Sequence, residues 1–163
     1  GFPETHMAAL EANTSLRTSI KQAIEQGLPT YAECGGLMYL ARNLHWRDET
    51  RDMVGVIPGD ITMHPRPMGR GYIQLEQTSQ HPWPGGLNDP DSLIPGHEFH
   101  YSVLENLPPQ QKFAYHVRRG TGIDGESDGL IVKNLQASYA HLRDTSQHHW
   151  AKRFVDFVRS HKS

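Results

Sequence analysis

Cysteine is nearly absent from this sequence, in which Cys34 is the only one among 163 residues. A single cysteine excludes an internal disulfide and any metal site built from several cysteines, and it suits a reducing cytoplasm. We therefore expect a cytoplasmic protein whose one thiol is either a small buried side chain or a catalytic nucleophile.

Long apolar runs and an excess of basic residues are also missing. No segment approaches the ~20 consecutive apolar residues of a membrane-spanning helix. The formal charge of -2 arises from acids and bases that are interspersed along the chain, whereas a nucleic-acid partner would require a basic stripe. We expect neither a membrane nor a nucleic acid as partner, and the length predicts one domain with one core.

The first residues, Gly1-Phe2-Pro3-Glu4, have neither the basic start nor the apolar run of a signal peptide. They lead directly into a helix-compatible stretch that continues to Ala12. We therefore expect a fragment of a longer protein, cut within a loop.

The first half of the chain predicts a helix, a strand, a sharp turn and a second helix. Asn13-Thr14 is a suitable N-cap for a helix with its apolar residues on one face, and Gly27 is suited to end that helix. Residues 28–33 then predict a short strand, and residues 36–42 predict the next helix. This order is typical of an α/β protein.

The second half predicts short strands that are separated by Gly, Pro and Asp clusters, at residues 71–77, 98–105, 113–118, 129–133 and 136–141. Such strands favour a more antiparallel or mixed layer. Residues 148–161 have aromatic and apolar side chains at helical spacing, which predicts a closing helix packed on the sheet. The predicted loops over 58–69 and 80–96 are long enough to cover a site or a partner surface.

Cys34 lies between the first predicted strand and the helix after it, and Gly35-Gly36 follows. This arrangement is typical of a nucleophile elbow, because glycines let the chain turn sharply and let a substrate approach the backbone. The free N–H groups at the start of a helix favour a thiolate and can bind a developing oxyanion. From spacing alone, a small buried cysteine is an equally good interpretation.

Five segments resemble, in the same order, the glutaminase domain of cobyrinic acid a,c-diamide synthases. They are Gly1–Glu4, similar to the end of a Gly-Gly-Phe/Tyr-Pro-Glu loop, then YAECGGLMYL (31–40), VGVIPGDITMHPRPM (54–68), GHEFHYS (96–102) and ASYAHL (137–142). Because these segments cover nearly the whole chain, residues 1–163 are identified as a member of this family. The resemblance implies a flavodoxin-like class I glutamine amidotransferase fold, an open mixed α/β sheet with helices on both faces, here without its first strands.

The resemblance also implies roles for individual residues. Cys34 would attack the side-chain amide of glutamine, while His141 would activate the thiol and protonate the departing ammonia, by way of a glutamyl thioester. Gly35 would supply one oxyanion N–H, and the loop that contains Gly1 and Phe2 would supply the other.

The GHEFHYS segment contains two histidines that superficially resemble zinc ligands. His97 and His100 are three residues apart in a strand-like run and should point to opposite faces, so we expect no metal site. The resemblance implies that Glu98 or His100 orders the catalytic region or faces a domain interface.

A third member of a catalytic triad cannot be read from the sequence. Many class I glutaminases have a glutamate two residues after the catalytic histidine, and here that position is Arg143. We expect Arg143 to be a solvated surface residue, because long charged side chains are mostly exposed.

The synthetase half of the family is missing from this chain, and no G-x-x-x-x-G-K-[ST] phosphate-binding sequence occurs. We therefore expect no cofactor here, and ATP with Mg in a synthetase domain of the same polypeptide. That domain would amidate a tetrapyrrole carboxylate with ammonia from this chain. Cobyrinic acid, hydrogenobyrinic acid, a nickel sirohydrochlorin and sirohaem remain open as acceptors, although GHEFHYS favours the a,c-diamide synthase branch. A homodimer also remains open.

Two other functions remain open on the sequence. A thiol hydrolase of the same fold could act on another amide or ester, because fold and elbow do not choose the substrate. A catalytically silent docking domain would simply bury Cys34. We also expect the isolated chain to hydrolyse glutamine poorly, because part of the oxyanion loop would be missing.

Overall fold

The structure is a computed structural model that describes residues 1–85 and 92–162. A 3₁₀ turn at Pro3–His6 precedes the helices α1 Met7–Ala12, α2 Thr14–Glu25, α3 Gly35–Leu40 and α4 Trp150–Ser160. The strands are β1 Thr30–Glu33, β2 Asn43–Trp46, β3 Glu49–Asp52, β4 Asp60–Met63, β5 Gly69–Gln77, β6 Ile94–His100, β7 Ser102–Glu105, β8 Lys112–Arg119, β9 Ser127–Val132, β10 Leu135–Ser138 and β11 His141–Leu142.

The strands form two sheets. The larger has seven strands in the order β1-β10-β9-β8-β5-β6-β11, and the smaller has four in the order β3-β2-β4-β7. In the larger sheet β1 runs parallel to β10, and the other neighbours are antiparallel. The prediction of a mixed sheet is therefore confirmed.

Apolar side chains fill a core on each face of the larger sheet. On β1, Ala32 belongs to the core that also contains residues of α1, α2 and α3, while its neighbour Tyr31 packs against a second core together with Trp150 of α4. Successive strand residues point to opposite faces. The helices therefore cover both faces of the sheet, as the sequence predicts.

Helix α2 begins and ends where the sequence predicts. The side chain of Asn13 accepts a hydrogen bond from the backbone N–H of Leu16 at 3.3 Å, which satisfies a donor that the first helical turn leaves free. Ile24 is buried in the core. Gly27 has a φ of 96°, which a residue with a side chain rarely adopts, so glycine is needed to leave the helix in this direction.

The structure differs from the predicted strands and loops in four details. Residues 98–105 form two strands that belong to different sheets, because the chain crosses between sheets at Tyr101. Residues 136–141 are divided between β10 and β11, which lie at distant positions of the larger sheet. The predicted loop over 58–69 contains β4, and the hairpin of β2 and β3 was not predicted.

The structure describes part of the predicted loop over 80–96. Residues 86–91 of it lie outside the described residues, and its last three residues begin β6. Among the residues that the structure describes, no helix has both the length and the apolar character needed to cross a membrane.

Candidate active site

Two neighbouring parallel strands bring Cys34 and His141 to the same edge of the sheet. Cys34 follows the last residue of β1, and its backbone N–H donates to the carbonyl oxygen of Ser138, the last residue of β10, at 2.8 Å. His141 comes three residues after Ser138. Because parallel strands end at a common edge, residues that follow them in sequence become neighbours in space.

The backbone at Cys34 is the sharp turn that the sequence predicts. Cys34 has φ 48° and ψ -103°, and helix α3 begins at the next residue. A positive φ is uncommon for a residue with a side chain, and such conformations concentrate at functional sites. The sulfur is only partly buried and lies 3.8 Å from the carbonyl oxygen of Phe99 at the end of β6.

The N-terminal segment packs directly on the start of α3. A β-carbon added to Gly35 would lie 2.5 Å from the carbonyl oxygen of Gly1, so the two backbones approach closely only because Gly35 has no side chain. The structure thus brings together Gly1, Gly35 and Cys34 as the sequence predicts. Phe2, the other predicted residue of this segment, is 72% exposed.

His141 contacts the Glu33 carboxylate at the same edge of the sheet as Cys34. Its Nδ1 lies 3.0 Å from Oε2 of Glu33, and its side chain is about one-third exposed, at 31%. The neighbouring Cys34 side chain, followed by the hydrogen bond to Glu33, raises the pKa of His141 to about 9. An imidazole that is protonated at neutral pH stabilises negative charge on a neighbouring sulfur.

Glu33, the residue immediately before the cysteine, is a site residue that sequence reasoning missed. Its carboxylate contacts the ring of His141 and also accepts from the backbone N–H of Leu142 at 3.1 Å. Burial raises the pKa of Glu33, but hydrogen bonds from His141, Tyr31 and Leu142 outweigh this and hold it below the usual value. The sequence did offer one sign of this role, because Glu33 is the last residue of the predicted strand and immediately precedes the cysteine.

His97 of β6 lies opposite His141 in the larger sheet. The rings of His97 and His141 stack at 4.8 Å with an interplanar angle of 16°. Burial, with the positive charge of His141 as the next cause, lowers the pKa of His97. Arg143 is exposed, as predicted.

Glu98 and His100 form a buried pair on the face of β6 opposite to His97, which confirms the predicted alternation. Oε2 of Glu98 lies 3.6 Å from Nε2 of His100, and the carboxylate also accepts from the backbone N–H groups of Thr121 and Gly122. The His100 ring stacks on Tyr139 at 3.8 Å. Since Tyr139 lies two residues before His141, His100 contacts the segment that leads to the histidine, and the ordering role of Glu98 and His100 stays a prediction.

A small apolar cavity of about 70 Å³ adjoins the sulfur. Its lining includes Phe2, Cys34, Met38, Met63, Phe99 and Tyr101. A larger groove of about 530 Å³ lies elsewhere, between the N-terminal helical segment and the hairpin of β2 and β3. We place the candidate site at the smaller cavity, because Cys34 is part of its lining and is not part of the lining of the larger groove.

One known protein family matches most of this chain. Residues 1–148 match the family described as the CobB/CobQ-like glutamine amidotransferase domain. The chain belongs to that family. The match spans the cysteine elbow, the Glu98–His100 pair and His141, and helix α4 lies beyond it.

Curated relatives of this glutamine amidotransferase domain are named cobyrinate a,c-diamide synthase. The protein of that name from Magnetococcus marinus is 42% identical over 163 residues, which is 100% of this chain and 34% of the relative. The one from Methanosarcina acetivorans is 39% identical and is matched over 96% of this chain and 33% of its own length. The chain thus spans about a third of these relatives.

Solved structures support the fold. A crystal structure described as a glutamine amidotransferase matches 89% of this chain and 69% of its own, with a TM-score of 0.61 at 15% identity. A glutamine amidotransferase from Thermotoga maritima matches 90% of this chain and 55% of its own, with a TM-score of 0.52 at 12% identity. At such identities the likeness concerns the fold alone.

The segment that leads to His141 in the amidotransferase domain is anchored by one buried carboxylate. Asp128 is fully buried and accepts from the backbone N–H groups of Gly129, Tyr139 and Ala140 at 2.9, 3.0 and 2.9 Å. Burial raises the pKa of Asp128 to about 6 even though these three donors favour its charged form. Asp128 therefore fixes the chain between β10 and β11, just before the histidine.

We predict that Asp128→Ala lowers the free energy of unfolding by about 2–4 kcal/mol, because three buried N–H groups lose their acceptor. Urea unfolding followed by circular dichroism measures this. The matched control is Asp124→Ala, which removes an acceptor for Glu126 and Ser127 in an exposed turn and should cost less than about 1 kcal/mol because water replaces it. Equal losses in the two variants would contradict the anchoring role.

We predict that Gly35→Ala reduces glutamine hydrolysis by about 10²-fold, the usual effect of losing one oxyanion donor. The added methyl group would displace the carbonyl of Gly1. Gly36→Ala is the control, since its new methyl group would meet only the β-carbon of Ala32, at 3.3 Å. Steady-state assays of both variants test this, and a Gly35→Ala enzyme no weaker than Gly36→Ala would show that the close approach does not matter.

Proposed function

We propose that this domain hydrolyses glutamine to glutamate and ammonia, with Cys34 as nucleophile and His141 as general base and acid. The observation that carries the proposal is the contact of His141 Nδ1 with the Glu33 carboxylate at 3.0 Å, beside the strained elbow of Cys34. A thiol at a sharp strand-to-helix turn is presented to a substrate, and a positioned imidazole can accept its proton.

The first half of the proposed reaction forms a thioester. Nδ1 of His141 donates to Glu33, so Nε2 is the nitrogen that accepts the proton of the Cys34 thiol, and the raised pKa of His141 favours holding that proton there before the sulfur attacks. The sulfur then forms a bond to the carbonyl carbon of the glutamine side chain, and negative charge develops on the carbonyl oxygen. The backbone N–H of Gly35 and a donor from the segment at Gly1 and Phe2 stabilise that charge. The imidazolium returns its proton to the nitrogen as the carbon–nitrogen bond breaks, and ammonia leaves.

The second half releases glutamate. His141 takes a proton from water while the water oxygen attacks the thioester carbonyl, and the carbon–sulfur bond then breaks. The proton passes back to the sulfur, so the thiol and the imidazole are regenerated. No redox step and no metal ion is required for this sequence of proton transfers and bond exchanges.

We further propose that the ammonia serves ATP-dependent amidation of a tetrapyrrole carboxylate by a synthetase domain of the same polypeptide. The support is that relatives named cobyrinate a,c-diamide synthase are about three times as long as the matched region. ATP and Mg²⁺ would bind in that other domain. The reduced thiol that the mechanism needs suits the cytoplasm.

The proposal is tested by covalent labelling and by turnover. The chain is treated with a glutamine analogue that carries an electrophilic chloroketone, and the labelled residue is mapped by mass spectrometry. We expect modification of Cys34 that glutamine slows and asparagine does not, together with release of glutamate from glutamine. If glutamine does not slow the labelling of Cys34, or if unrelated amides are turned over equally fast, a different thiol hydrolase is favoured. A cysteine that does not react at all would favour a silent docking domain.

A further inference from the structure

We propose that Glu33 is the positioning carboxylate of this site, and that the Tyr31 hydroxyl holds it in place. This inference rests on the proposed glutaminase function. It assigns the role of third triad member to the residue just before the nucleophile, whereas the position two residues after the histidine is the exposed Arg143.

The two oxygens of the Glu33 carboxylate have separate partners. Oε1 accepts from the Tyr31 hydroxyl at 2.6 Å and from the backbone N–H of Leu142 at 3.1 Å. Oε2 is left for Nδ1 of His141 at 3.0 Å. Because one oxygen is fixed by two donors, the carboxylate cannot rotate away without losing both, and the second oxygen stays aimed at the imidazole.

Other buried carboxylates near the site are already committed. Glu98 accepts from two backbone N–H groups and lies against His100, and Asp128 accepts from three backbone N–H groups. Among the residues that the structure describes, Glu33 is the acid that forms an ion pair with His141. The assignment therefore does not compete with another acid.

The ring of Tyr31 packs against three aromatic side chains. Its ring lies 4.9 Å from that of Trp150, 5.3 Å from Trp83 and 5.9 Å from Phe154. Burial and the neighbouring Glu33 charge hold the pKa of Tyr31 well above its ordinary value, so the hydroxyl remains a donor. Trp150 and Phe154 belong to α4, which lies past the last residue matched to the family. Helix α4 thus helps to position Glu33 indirectly, because it packs on Tyr31 and the Tyr31 hydroxyl donates to Glu33.

The arrangement predicts what Glu33 does during the reaction. When the thiol proton moves to Nε2 of His141, the imidazole becomes positively charged, and the ionised carboxylate stabilises that charge while Nδ1–H keeps its orientation. Glu33 does not take up the proton, because its pKa is lowered. Glu33 and Tyr31 are positioning residues, since both act through His141.

The test compares Glu33→Gln, which keeps the shape and removes the charge, with Tyr31→Phe, which keeps the ring and removes only the hydroxyl. We expect kcat for glutamine to fall by about 10²-fold in Glu33→Gln and about tenfold in Tyr31→Phe, with KM within about twofold. Tyr39→Phe is the matched control, because the Tyr39 hydroxyl is also buried and has no hydrogen-bond partner among the described residues. It should retain normal kcat.

A second readout does not depend on glutamine. The ring protons of His141, assigned by their absence in His141→Ala, are titrated by NMR in each variant. The wild type should titrate near pH 9, and Glu33→Gln should titrate lower by on the order of one pH unit or more, because the stabilising charge is gone. Tyr31→Phe should shift in the same direction by less. Thermal unfolding of each variant confirms that it is folded.

The outcomes separate the two proposals. A folded Glu33→Gln protein whose His141 titration and kcat match the wild type would overturn the role of Glu33 and leave the glutaminase function standing. A wild type that cannot hydrolyse glutamine, but whose His141 titration depends on Glu33, would overturn the glutaminase function alone. If Glu33→Gln fails to fold, an unchanged titration and kcat in Tyr31→Phe would still remove the tyrosine and its anchoring of Glu33 from the proposal.

Discussion

Cys34→Ser is expected to abolish glutamine-dependent amidation and to leave ammonium-dependent amidation largely intact, in a full-length protein that joins this domain to a synthetase domain. Serine keeps the size and the turn, but its hydroxyl is a far weaker nucleophile than the cysteine sulfur whose proton His141 has taken. The synthetase chemistry would lie in another domain and receive ammonia from solution instead. The measurement is amidated tetrapyrrole formed with glutamine or with ammonium chloride as nitrogen source.

The ratio of the two activities is the informative quantity. Expression or folding defects would lower both activities together, whereas loss of the nucleophile lowers only the first. Equal loss with both nitrogen sources would therefore argue against a division of labour between the domains. Retained glutamine-dependent activity would remove Cys34 from the mechanism.

We expect His141→Ala to lower the glutaminase rate by roughly 10²–10⁴-fold, the range typical of a lost general acid-base group. The imidazole has two tasks in the proposed reaction, since it takes the thiol proton and later protonates the departing nitrogen. His116→Ala is a suitable control because His116 lies on the exposed side of β8 and should leave the rate unchanged. Steady-state release of glutamate measures both, and a near-normal rate in His141→Ala would exclude the residue as the base.

The same histidine should make stability depend on pH. Its folded pKa of about 9 lies above the ordinary value of 6.5, so the folded state binds the proton more tightly than the unfolded state does. The stabilisation is therefore complete below pH 6.5 and is lost as the pH rises through 9. Urea unfolding between pH 6 and pH 10 should show a decline in the wild type that is smaller in His141→Ala.

Local features of this site could be predicted from the sequence. The turn at Cys34 follows from a cysteine placed between a strand and two glycines, and the boundaries of α2 follow from Asn13 and Gly27. Both depend on residues that are neighbours along the chain, so their physical cause is contained in a short segment. The mixed sheet with helices on both faces was implied by the family resemblance, and the pattern of elements agreed with it.

Features that depend on pairing between distant segments could not be predicted. Glu33 contacts His141 because β1 and β10 pair in one register, with Glu33 opposite Ser138. A shift of one residue would turn the carboxylate to the other face of the sheet. The crossing between sheets at Tyr101 and the anchoring of Tyr139 and Ala140 by Asp128 are likewise made by contacts that no local pattern encodes.

The backbone conformation of Cys34 lowers the stability of the folded domain while it presents the sulfur for the proposed reaction. With φ 48° and ψ -103°, a residue with a side chain at this position costs the folded state on the order of 1–3 kcal/mol. That cost is present with or without glutamine, and it would be the same for a serine or an alanine. Glycine would remove it and would also remove the sulfur. The domain is therefore less stable than it would be with glycine at position 34. That loss of stability cannot be avoided without removing the side chain on which the proposed reaction depends.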